Sequence, residues 1–227
     1  MTSAIEVRNM FSSIAKRYDL TNSALSMGIH HLWRRKLVSM LPDMRGKDSV
    51  ALDLCTGTCD LIKPLSSKYD RVVGADFCLP MLQNGKQKSL GFSVVQGDGL
   101  KLPFQDQSFD LVTVAFGVRN FEILEKGLSQ IRRVLKDDGI LVVLEFGQPS
   151  NRLWAAIYDF YSKHMMPLIG SILTGNRQAY TYLPQTARAF PCGAKFCQIL
   201  ESLGYNNAIS RPLSGGIAYI YTANSAH

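Results

Sequence analysis

The sequence predicts an α/β fold built on a doubly wound, mostly parallel sheet. From Ser49 onward, short apolar runs of strand length alternate with segments of helical period. Such alternation requires right-handed crossovers between parallel strands. The chain has 227 residues, which is enough for one sheet covered by helices on both faces. We therefore expect one structural domain overall.

The residues before the first predicted strand, 1–48, are expected to form an N-terminal helical cap. Val7, Phe11 and Ile14 recur at helical spacing, and the stretch from Asp19 to Ser26 offers capping side chains. These patterns predict two or three helices.

Residues 49–149 are expected to form the α/β core. The five predicted strands are Val50–Leu54, Arg71–Ala75, Phe92–Gln96, Phe109–Ala115 and Ile140–Phe146. The three predicted helices lie near 59–69, 79–89 and 122–136. A turn at Asp137–Gly139 is expected to join the third helix to the fifth strand.

Residues 150–190 break this alternation, and we interpret them as a helical insert that forms a lid. Trp154 to Leu173 has a long helical pattern rich in aromatic residues and Met, interrupted by Pro167 and Gly170. The stretch 175–184, which contains Tyr180 and Tyr182, is predicted to be a loop.

Residues 191–227 are expected to complete the core with a last helix and a closing hairpin. The helix is predicted near 194–203. Two strands, Ala208–Leu213 and Ile217–Thr222, are separated by the glycine turn Ser214–Gly216. This pattern predicts an antiparallel hairpin at a sheet edge.

The turn after the first predicted strand carries the strongest functional signal. Small residues run from Cys55 to Asp60, and a helical pattern begins at Leu61. A strand, a tight turn and a helix N-terminus allow the backbone to approach a nucleotide closely. Asp76, directly after the second predicted strand, can accept both hydroxyls of a ribose. The pattern therefore predicts that residues 49–149 bind a nucleotide-like cofactor.

The composition of this turn favours S-adenosylmethionine over a dinucleotide. Gly57 is the only glycine between Cys55 and Asp60, so the G-x-G-x-x-G motif of dinucleotide sites is missing. Asp53 and Asp60 add negative charge, which repels a diphosphate and suits a sulfonium and an α-amino group. A doubly wound sheet that ends in an antiparallel hairpin is the Rossmann-like architecture of class I S-adenosylmethionine-dependent methyltransferases. An NAD-dependent oxidoreductase is the less favoured alternative.

Two further candidates follow strands whose carboxyl ends reach the same edge of the sheet. Asp98, after the third strand, can accept a hydrogen bond from an adenine amino group, while Gly99 supplies a backbone contact. Arg119 follows the fourth strand, and we interpret it as stabilising an anionic oxygen of the substrate. The alternative is a surface ion pair of Arg119 with Glu122 or Glu145.

Composition and charge exclude some classes of protein and leave others open. No apolar stretch reaches the ~20 residues of a transmembrane helix, and the N-terminus lacks the apolar core of a signal peptide, so a cytoplasmic location is expected. Five cysteines, without a Cys-x-x-Cys pair or a His cluster, predict neither a disulfide scaffold nor a metal site. The net charge is +7, and the excess of basic residues lies toward both ends of the chain. This distribution suits a solvated surface or contact with an anionic membrane. Without a basic patch interleaved with aromatic residues, no nucleic-acid partner is expected.

Four segments of the chain resemble the ubiquinone/menaquinone biosynthesis C-methyltransferase family. They are Phe11–Asp19 with the stretch from Asn22 to Arg35, Leu52–Leu54 with Gly57 and Thr58, Leu102–Asn120, and Val143–Pro149. The resemblance runs from about residue 7 to 222. It implies methyl transfer from S-adenosylmethionine to a ring carbon of a prenylated hydroquinone, demethylmenaquinol in menaquinone biosynthesis. Methylation of 2-methoxy-6-polyprenyl-1,4-benzoquinol in ubiquinone biosynthesis is the alternative, as is a non-catalytic cofactor-binding subunit of a quinone-synthesis assembly.

The resemblance also implies roles for residues. Cofactor contacts fall on Thr58, Asp76, Asp98 and Gly99, in addition to Gly57 and Asp53 of the turn. The family usually has glycines where Thr56 and Cys59 stand, so the turn is bulkier here.

The implied chemistry needs an ionised ring hydroxyl, because an aromatic carbon is otherwise a poor nucleophile. Arg119 is the candidate partner of the phenolate, and the proton acceptor is left open among Asp19, Tyr18 and Tyr182.

A prenylated substrate also needs an apolar groove or an exit to the bilayer. The helical pattern from Trp154 to Leu173 and the first helix are candidates to line it, unless they only complete the core. The expected partners are the quinol and, transiently, the inner face of the membrane. A homodimer is left open.

Overall fold

The computed structural model describes residues 4–88 and 91–225 and is built around a seven-stranded sheet. The strands are β1 Val50–Leu54, β2 Arg71–Asp76, β3 Ser93–Gln96, β4 Phe109–Ala115, β5 Leu135–Phe146, β6 Tyr205–Leu213 and β7 Ala218–Ser225. Their spatial order is β3-β2-β1-β4-β5-β7-β6. The strands β1 to β5 pair in parallel, and β7 lies antiparallel between β5 and β6. The predicted doubly wound sheet with a terminal antiparallel hairpin is confirmed.

Helices precede the sheet, connect its strands and form a block after β5. The first three are α1 Ala4–Ile14, α2 Tyr18–Leu25 and α3 Ile29–Met40; the connecting helices are α4 Ile62–Leu65, α5 Leu79–Lys88 and α6 Leu124–Val134. The later helices are α7 Arg152–Phe160, α8 Met166–Thr174, α9 Arg177–Ala189 and α10 Ala194–Ser202, and a π-helical segment, Tyr161–Met165, joins α7 to α8. Within the described residues, no helix is both long and apolar enough to cross a membrane.

Both faces of the sheet are buried, as expected of parallel strands. Side chains of successive strand residues point to opposite faces of the sheet. Accordingly, Leu111 packs on one face and Val112 on the other. On the first face, α3 and α4 cover the sheet with Trp33, Leu37, Ile62 and Leu65. On the second, α6 and α10 cover it with Leu128, Ile131, Phe196 and Leu200. The packing of α3 fixes the N-terminal helices beside the carboxyl ends of the strands.

The prediction of a loop over 175–184 is wrong. Gly175, with φ +75°, ends α8, and α9 then begins at Arg177 and contains Pro184. Tyr180, Leu183 and Ala187 lie on one face of α9 and are buried or partly buried. Burial of this face stabilises the helix even though Pro184 lacks the N–H of an interior helical bond.

Several boundaries also differ from the sequence prediction. The segment Asp137–Gly139 is a bulge within β5, where Asp138 has φ +59° and the register against β4 shifts, so it is not a connecting turn. The helix expected near 59–69 shortens to α4, which contains Pro64. The hairpin strand β6 begins at Tyr205, before the predicted Ala208.

Some of the predicted ranges include residues outside the described part of the chain. One such residue ends the expected helix over 79–89, and the others include the first three residues of the cap and the last two of the chain. The lid role of residues 150–190 stays a prediction.

Candidate active site

A cleft opens at the carboxyl ends of the parallel strands, where the strand order reverses between β1 and β4. Its wall includes Gly57 after β1, Asp76 at the end of β2, Asp98 after β3 and Gly117 after β4. Ligands of open α/β sheets bind at this switch point. The structure therefore brings together residues from four connections that the sequence places far apart.

Hydrogen bonds to Asp53 stabilise the conformation of the turn after β1. Its buried carboxylate accepts hydrogen bonds from the hydroxyls of Thr56 at 2.6 Å and Thr113 at 2.8 Å. Burial raises the pKa of Asp53 to about 6, and the two hydroxyl donors oppose the rise. Gly57 and two cysteines of the turn, Cys55 and Cys59, have positive φ angles. Asp53 thus fixes an unusual backbone conformation in which Gly57 faces the cleft.

Asp76 is positioned to receive a ribose. It is only 7% exposed, and its two carboxylate oxygens accept hydrogen bonds from the backbone N–H groups of Gly57 at 2.9 Å and Cys78 at 2.8 Å. Burial raises the pKa of Asp76, and the backbone donors oppose the rise. Each oxygen of a carboxylate has a second lone pair, so Asp76 can still accept ribose hydroxyls.

Two glycines of the cleft wall allow neighbouring side chains to pack closely against the backbone. A Cβ on Gly99 would lie 2.8 Å from Cε1 of Phe121, and one on Gly117 would lie 2.5 Å from Cβ of Cys55. Asp98 is exposed beside them, and its Oδ1 accepts a hydrogen bond from the backbone N–H of Leu100 at 2.8 Å. Two acids and a glycine-lined wall fit the adenosine part of S-adenosylmethionine.

Thr58 and Asp19 contact each other rather than the main cleft. The buried hydroxyl of Thr58 donates to Oδ1 of Asp19 at 2.6 Å, and Lys88 donates to Oδ2. Lys88 lies 3.4 Å from Asp60, which pairs with Arg34 at 2.7 Å. This charge cluster attaches α2 and α3 to the turn after β1. The predicted contact of Thr58 with the cofactor stays a prediction.

An apolar cavity of about 310 Å³ adjoins the cleft. Phe11, Tyr18 and Phe116 line both spaces, so the two meet at these side chains. The cavity lies between the N-terminal helices and the block of α7 to α9. Its wall is mainly aromatic and aliphatic and includes Met10, Ile14, Leu25, Trp33, Phe146, Ile157, Met166 and Leu183.

Arg119 is buried in the wall of this cavity. Its side chain is 4% exposed, and Nη1 donates to Oε1 of Glu145 at 2.9 Å and to the carbonyl of Phe116. Oε2 of Glu145 accepts from the backbone N–H of Arg119 at 3.3 Å. Burial raises the pKa of Glu145, and the guanidinium opposes the rise. The pair with Glu145 is therefore formed, but in the interior and not on the surface.

One donor of Arg119 is left over. In the described part of the chain, its buried Nε has no hydrogen-bond partner. A buried, unpaired donor of a cation is costly unless something binds it. An anionic oxygen in the cavity would satisfy this atom with a charge-assisted hydrogen bond.

Three tyrosines of the cavity wall remain protonated near neutral pH. Burial raises the pKa of Tyr18 and Tyr182, with Arg119 opposing both rises, and raises the pKa of Tyr158 to about 12. The hydroxyl of Tyr182 donates to Oδ1 of Asn120 at 3.1 Å. The structure thus places Tyr18 and Tyr182 in the same cavity wall as Arg119, whereas Asp19 pairs with Lys88 outside it.

The sequence analysis did not assign a role to Arg34 or His30 of α3. His30 lies in the cavity wall, and burial and the charge of Arg34 lower its pKa to about 4, so the ring is neutral. His30, Trp33 and Leu37 are all buried at the spacing of one helical face. This periodicity, with Arg34 one turn after His30, was the available signal that α3 packs against the site.

Comparison with known proteins shows the family of the chain. A model of the ubiE/COQ5 methyltransferase family matches residues 1–225. The ubiquinone/menaquinone biosynthesis C-methyltransferase UbiE of Bdellovibrio bacteriovorus is 43% identical over 222 residues, which cover 95% of this chain and 94% of the relative. The demethylmenaquinone methyltransferase of Deinococcus radiodurans is 39% identical over 96% of this chain and 92% of its own length.

A solved structure shows the shared fold. It is a SAM-dependent methyltransferase of Thermotoga maritima, described as a possible histamine N-methyltransferase, with a TM-score of 0.68 and 14% identity over 96% of this chain and 98% of that chain. The predicted class I fold is thereby confirmed. With the family model spanning almost every residue, the chain belongs to the ubiE/COQ5 methyltransferase family and is an S-adenosylmethionine-dependent methyltransferase.

Proposed function

We propose that this enzyme methylates a ring carbon of demethylmenaquinol in menaquinone biosynthesis. The observation that carries the proposal is the apolar cavity that meets the cofactor cleft at Phe11, Tyr18 and Phe116 and contains one buried, unpaired guanidinium donor of Arg119. An apolar wall suits a prenylated ring, and a buried cation suits its ionised oxygen. The names of the related proteins support the same substrate class.

The reduced quinol is the substrate, because only a ring with an ionised hydroxyl has a sufficiently nucleophilic carbon beside it. S-adenosylmethionine supplies an electrophilic methyl group when bound. Asp76 and Asp98 hold its adenosine part, with Gly57 and Gly99 allowing the backbone to approach. Placing the two reactants in adjoining spaces converts their encounter into an oriented reaction, an effect worth roughly 7–11 kcal/mol when positioning is good.

Arg119 stabilises the phenolate in this mechanism. Its Nε donates to the oxygen as negative charge develops, in a mainly apolar cavity where such an interaction is stronger than in water. Glu145 and the carbonyl of Phe116 hold the guanidinium in place. Of the predicted proton acceptors, Tyr18 and Tyr182 line the cavity. Both are protonated, so neither keeps the hydroxyl proton of the quinol: the tyrosine oxygen accepts it while the tyrosine gives its own proton to solvent water. We assign Asp19 to holding the cap through Thr58 and Lys88.

The test is methyl transfer from labelled S-adenosylmethionine to chemically reduced demethylmenaquinol. A parallel reaction uses a 2-methoxy-6-prenyl-1,4-benzoquinol, since the Bdellovibrio relative is named for both quinones. We expect label in the naphthoquinol. Label in both quinols would make the enzyme dual-function, and label in the benzoquinol alone would replace the proposed substrate. Tight cofactor binding without transfer to either quinol would favour the non-catalytic subunit.

The role of Arg119 is tested in the same assay. Arg119→Ala should lose turnover while it keeps its affinity for S-adenosylmethionine, because Arg119 lines the apolar cavity and not the cleft. Arg35→Ala, at an exposed position of α3, is the control and should leave both quantities unchanged.

We also propose that this cytoplasmic enzyme contacts the inner face of the membrane through α7 and α8. Six large apolar side chains of these helices are exposed: Leu153, Trp154, Ile157, Phe160, Leu168 and Ile172. They recur at the spacing of one helical face, and Ile157 and Trp154 also line the apolar cavity. The exposed cations Arg152, at the start of α7, and Lys163, in the π-helical segment between α7 and α8, suit an anionic lipid surface. A prenyl tail would then pass between bilayer and cavity along one apolar surface.

Vesicle flotation tests this contact. Binding to vesicles with anionic lipid should exceed binding to zwitterionic ones, and Ile172→Glu should abolish it without changing the melting temperature. A concentration-dependent dimer that Ile172→Glu dissociates, with no vesicle binding, would show that a second copy covers this face instead.

A further inference from the structure

Arg34 extends from the N-terminal cap to the turn after β1. Its side chain is 15% exposed, and Nη1 pairs with Oδ2 of Asp60 at 2.7 Å. Its Nε is buried and has no hydrogen-bond partner among the residues that the structure describes. Arg34 and Arg119 share this property, yet the mechanism above uses only Arg119. A second buried guanidinium donor is therefore left to explain.

A small polar recess beside Gly57 continues the cofactor cleft toward Arg34. The cleft and the recess share four wall residues, Tyr18, Cys55, Gly57 and Ala115. Arg34 lines the recess but not the cleft. The ribose-binding acid Asp76 belongs to the cleft. A ligand with its adenosine against Asp76 would therefore extend past Gly57 with its other end beside Arg34.

The charges around the recess leave Arg34 able to take an anion. Asp60 is shared between Arg34 and Lys88, and Lys88 is in turn paired with Asp19. The carboxyl of Asp53 is occupied by the hydroxyls of Thr56 and Thr113. Three acids, Asp19, Asp53 and Asp60, therefore face two cations in this cluster. Of these two cations only Arg34 lines the recess, where its unpaired Nε can bind a carboxylate.

We propose that Arg34 binds the α-carboxylate of the cofactor's amino-acid moiety through Nε. A carboxylate accepts hydrogen bonds from a guanidinium in a charge-assisted geometry, which is why arginine is suited to this recognition. Because Arg34 belongs to α3, the same contact ties the N-terminal cap to the bound cofactor. The inference shares its cofactor with the proposed function but does not depend on the quinol.

The test compares two ligands that differ in one group, S-adenosylmethionine and its decarboxylated analogue, by calorimetric titration without any quinol. Arg34→Gln should weaken binding of S-adenosylmethionine about ten- to a hundredfold, the range of one hydrogen bond to a charged group. Binding of the decarboxylated analogue should change by less than about threefold. Arg34→Lys, which keeps the charge, should recover part of the loss, and exposed Arg35→Gln should bind both ligands as the parent protein does.

Asp60→Asn separates binding from a purely structural role. It removes the carboxylate that holds Nη1 of Arg34 but leaves Nε in place. Equal weakening of both ligands in Arg34→Gln and Asp60→Asn would show that Arg34 only stabilises the turn, and would overturn the proposal. Unchanged binding of both ligands in Arg34→Gln, with a raised KM for the quinol, would instead place Nε in the apolar cavity, whose wall also includes Arg34. Because the titrations need no methyl acceptor, they remain decisive if neither quinol is methylated.

Discussion

The buried ion pair of Arg119 and Glu145 allows a quantitative prediction. Removing Glu145 and removing Arg119 should change the free energy of unfolding by different amounts. Glu145 is fully buried and accepts from Nη1 of Arg119 at 2.9 Å, from the backbone N–H of Arg119 at 3.3 Å and from that of Phe146 at 2.9 Å. Glu145→Gln keeps the shape but leaves the guanidinium buried without a counter-charge. Breaking such a pair costs about 3–5 kcal/mol of the free energy of unfolding.

Arg119→Met should cost less than Glu145→Gln. Burial already raises the pKa of Glu145, so without the opposing guanidinium the carboxyl takes up a proton and becomes neutral. A buried arginine cannot become neutral in the same way, because it does not lose its proton in proteins. The double variant Glu145→Gln, Arg119→Met contains no buried charge at this site. It should be destabilised by at least ~1 kcal/mol less than the sum of the single variants.

Equilibrium unfolding in urea at pH 7 measures all four proteins of this cycle. The control is Asp159→Asn, which breaks the half-exposed pairs of Asp159 with Lys163 at 2.6 Å and with Arg188. It should change stability far less than Glu145→Gln does, because exposed ion pairs contribute little. Strict additivity of the two single variants, or a loss below ~1 kcal/mol in Glu145→Gln, would refute the reasoning that the pair is desolvated.

Three further predictions concern single groups of the site. Asp53→Asn should become more stable relative to the parent protein as pH rises from about 4 to about 6. The pKa of Asp53 in the folded protein is about 6, above its ordinary value of 3.8, so the stabilising effect of the protonated carboxyl is present at low pH and is lost as pH rises through 6. Urea titrations at pH 4 and 8 should show a change of up to about 3 kcal/mol. Gly99→Ala should raise the Kd for S-adenosylmethionine at least ~tenfold by calorimetry, because its Cβ would displace the ring of Phe121, 2.8 Å away. Tyr182→Phe should lower kcat with the quinol and leave the Kd of the cofactor unchanged, since Tyr182 lines the cavity and bonds Asn120.

Each of these has an outcome that contradicts it. A stability difference between Asp53→Asn and the parent that is constant from pH 4 to pH 8 would show that Asp53 does not titrate near pH 6. Tight cofactor binding by Gly99→Ala would mean that the adenine lies elsewhere in the cleft. A Tyr182→Phe variant with normal kcat would exclude its hydroxyl from the proton path, and Tyr158→Phe would serve as the matched tyrosine control.

The sequence by itself determined the sheet and the position of the cofactor cleft. Strand and helix periods reflect which side chains are buried locally, so the alternation after Ser49 was enough to predict parallel pairing. Because the carboxyl ends of parallel strands lie at one edge of the sheet, the residues that follow them are expected to lie close together. Asp76, Asp98 and Gly117 do line one cleft. The catalytic candidate Arg119 was found by the same rule.

Only the tertiary structure decided which groups pair across the fold. The contacts of Asp19 with Lys88, of Arg34 with Asp60 and of Arg119 with Glu145 join residues far apart in the sequence. No local period encodes such pairs, because they depend on how the helices pack on the finished sheet. The same packing makes the stretch around Pro184 a helix, by burying one of its faces, where local propensity alone predicts a loop.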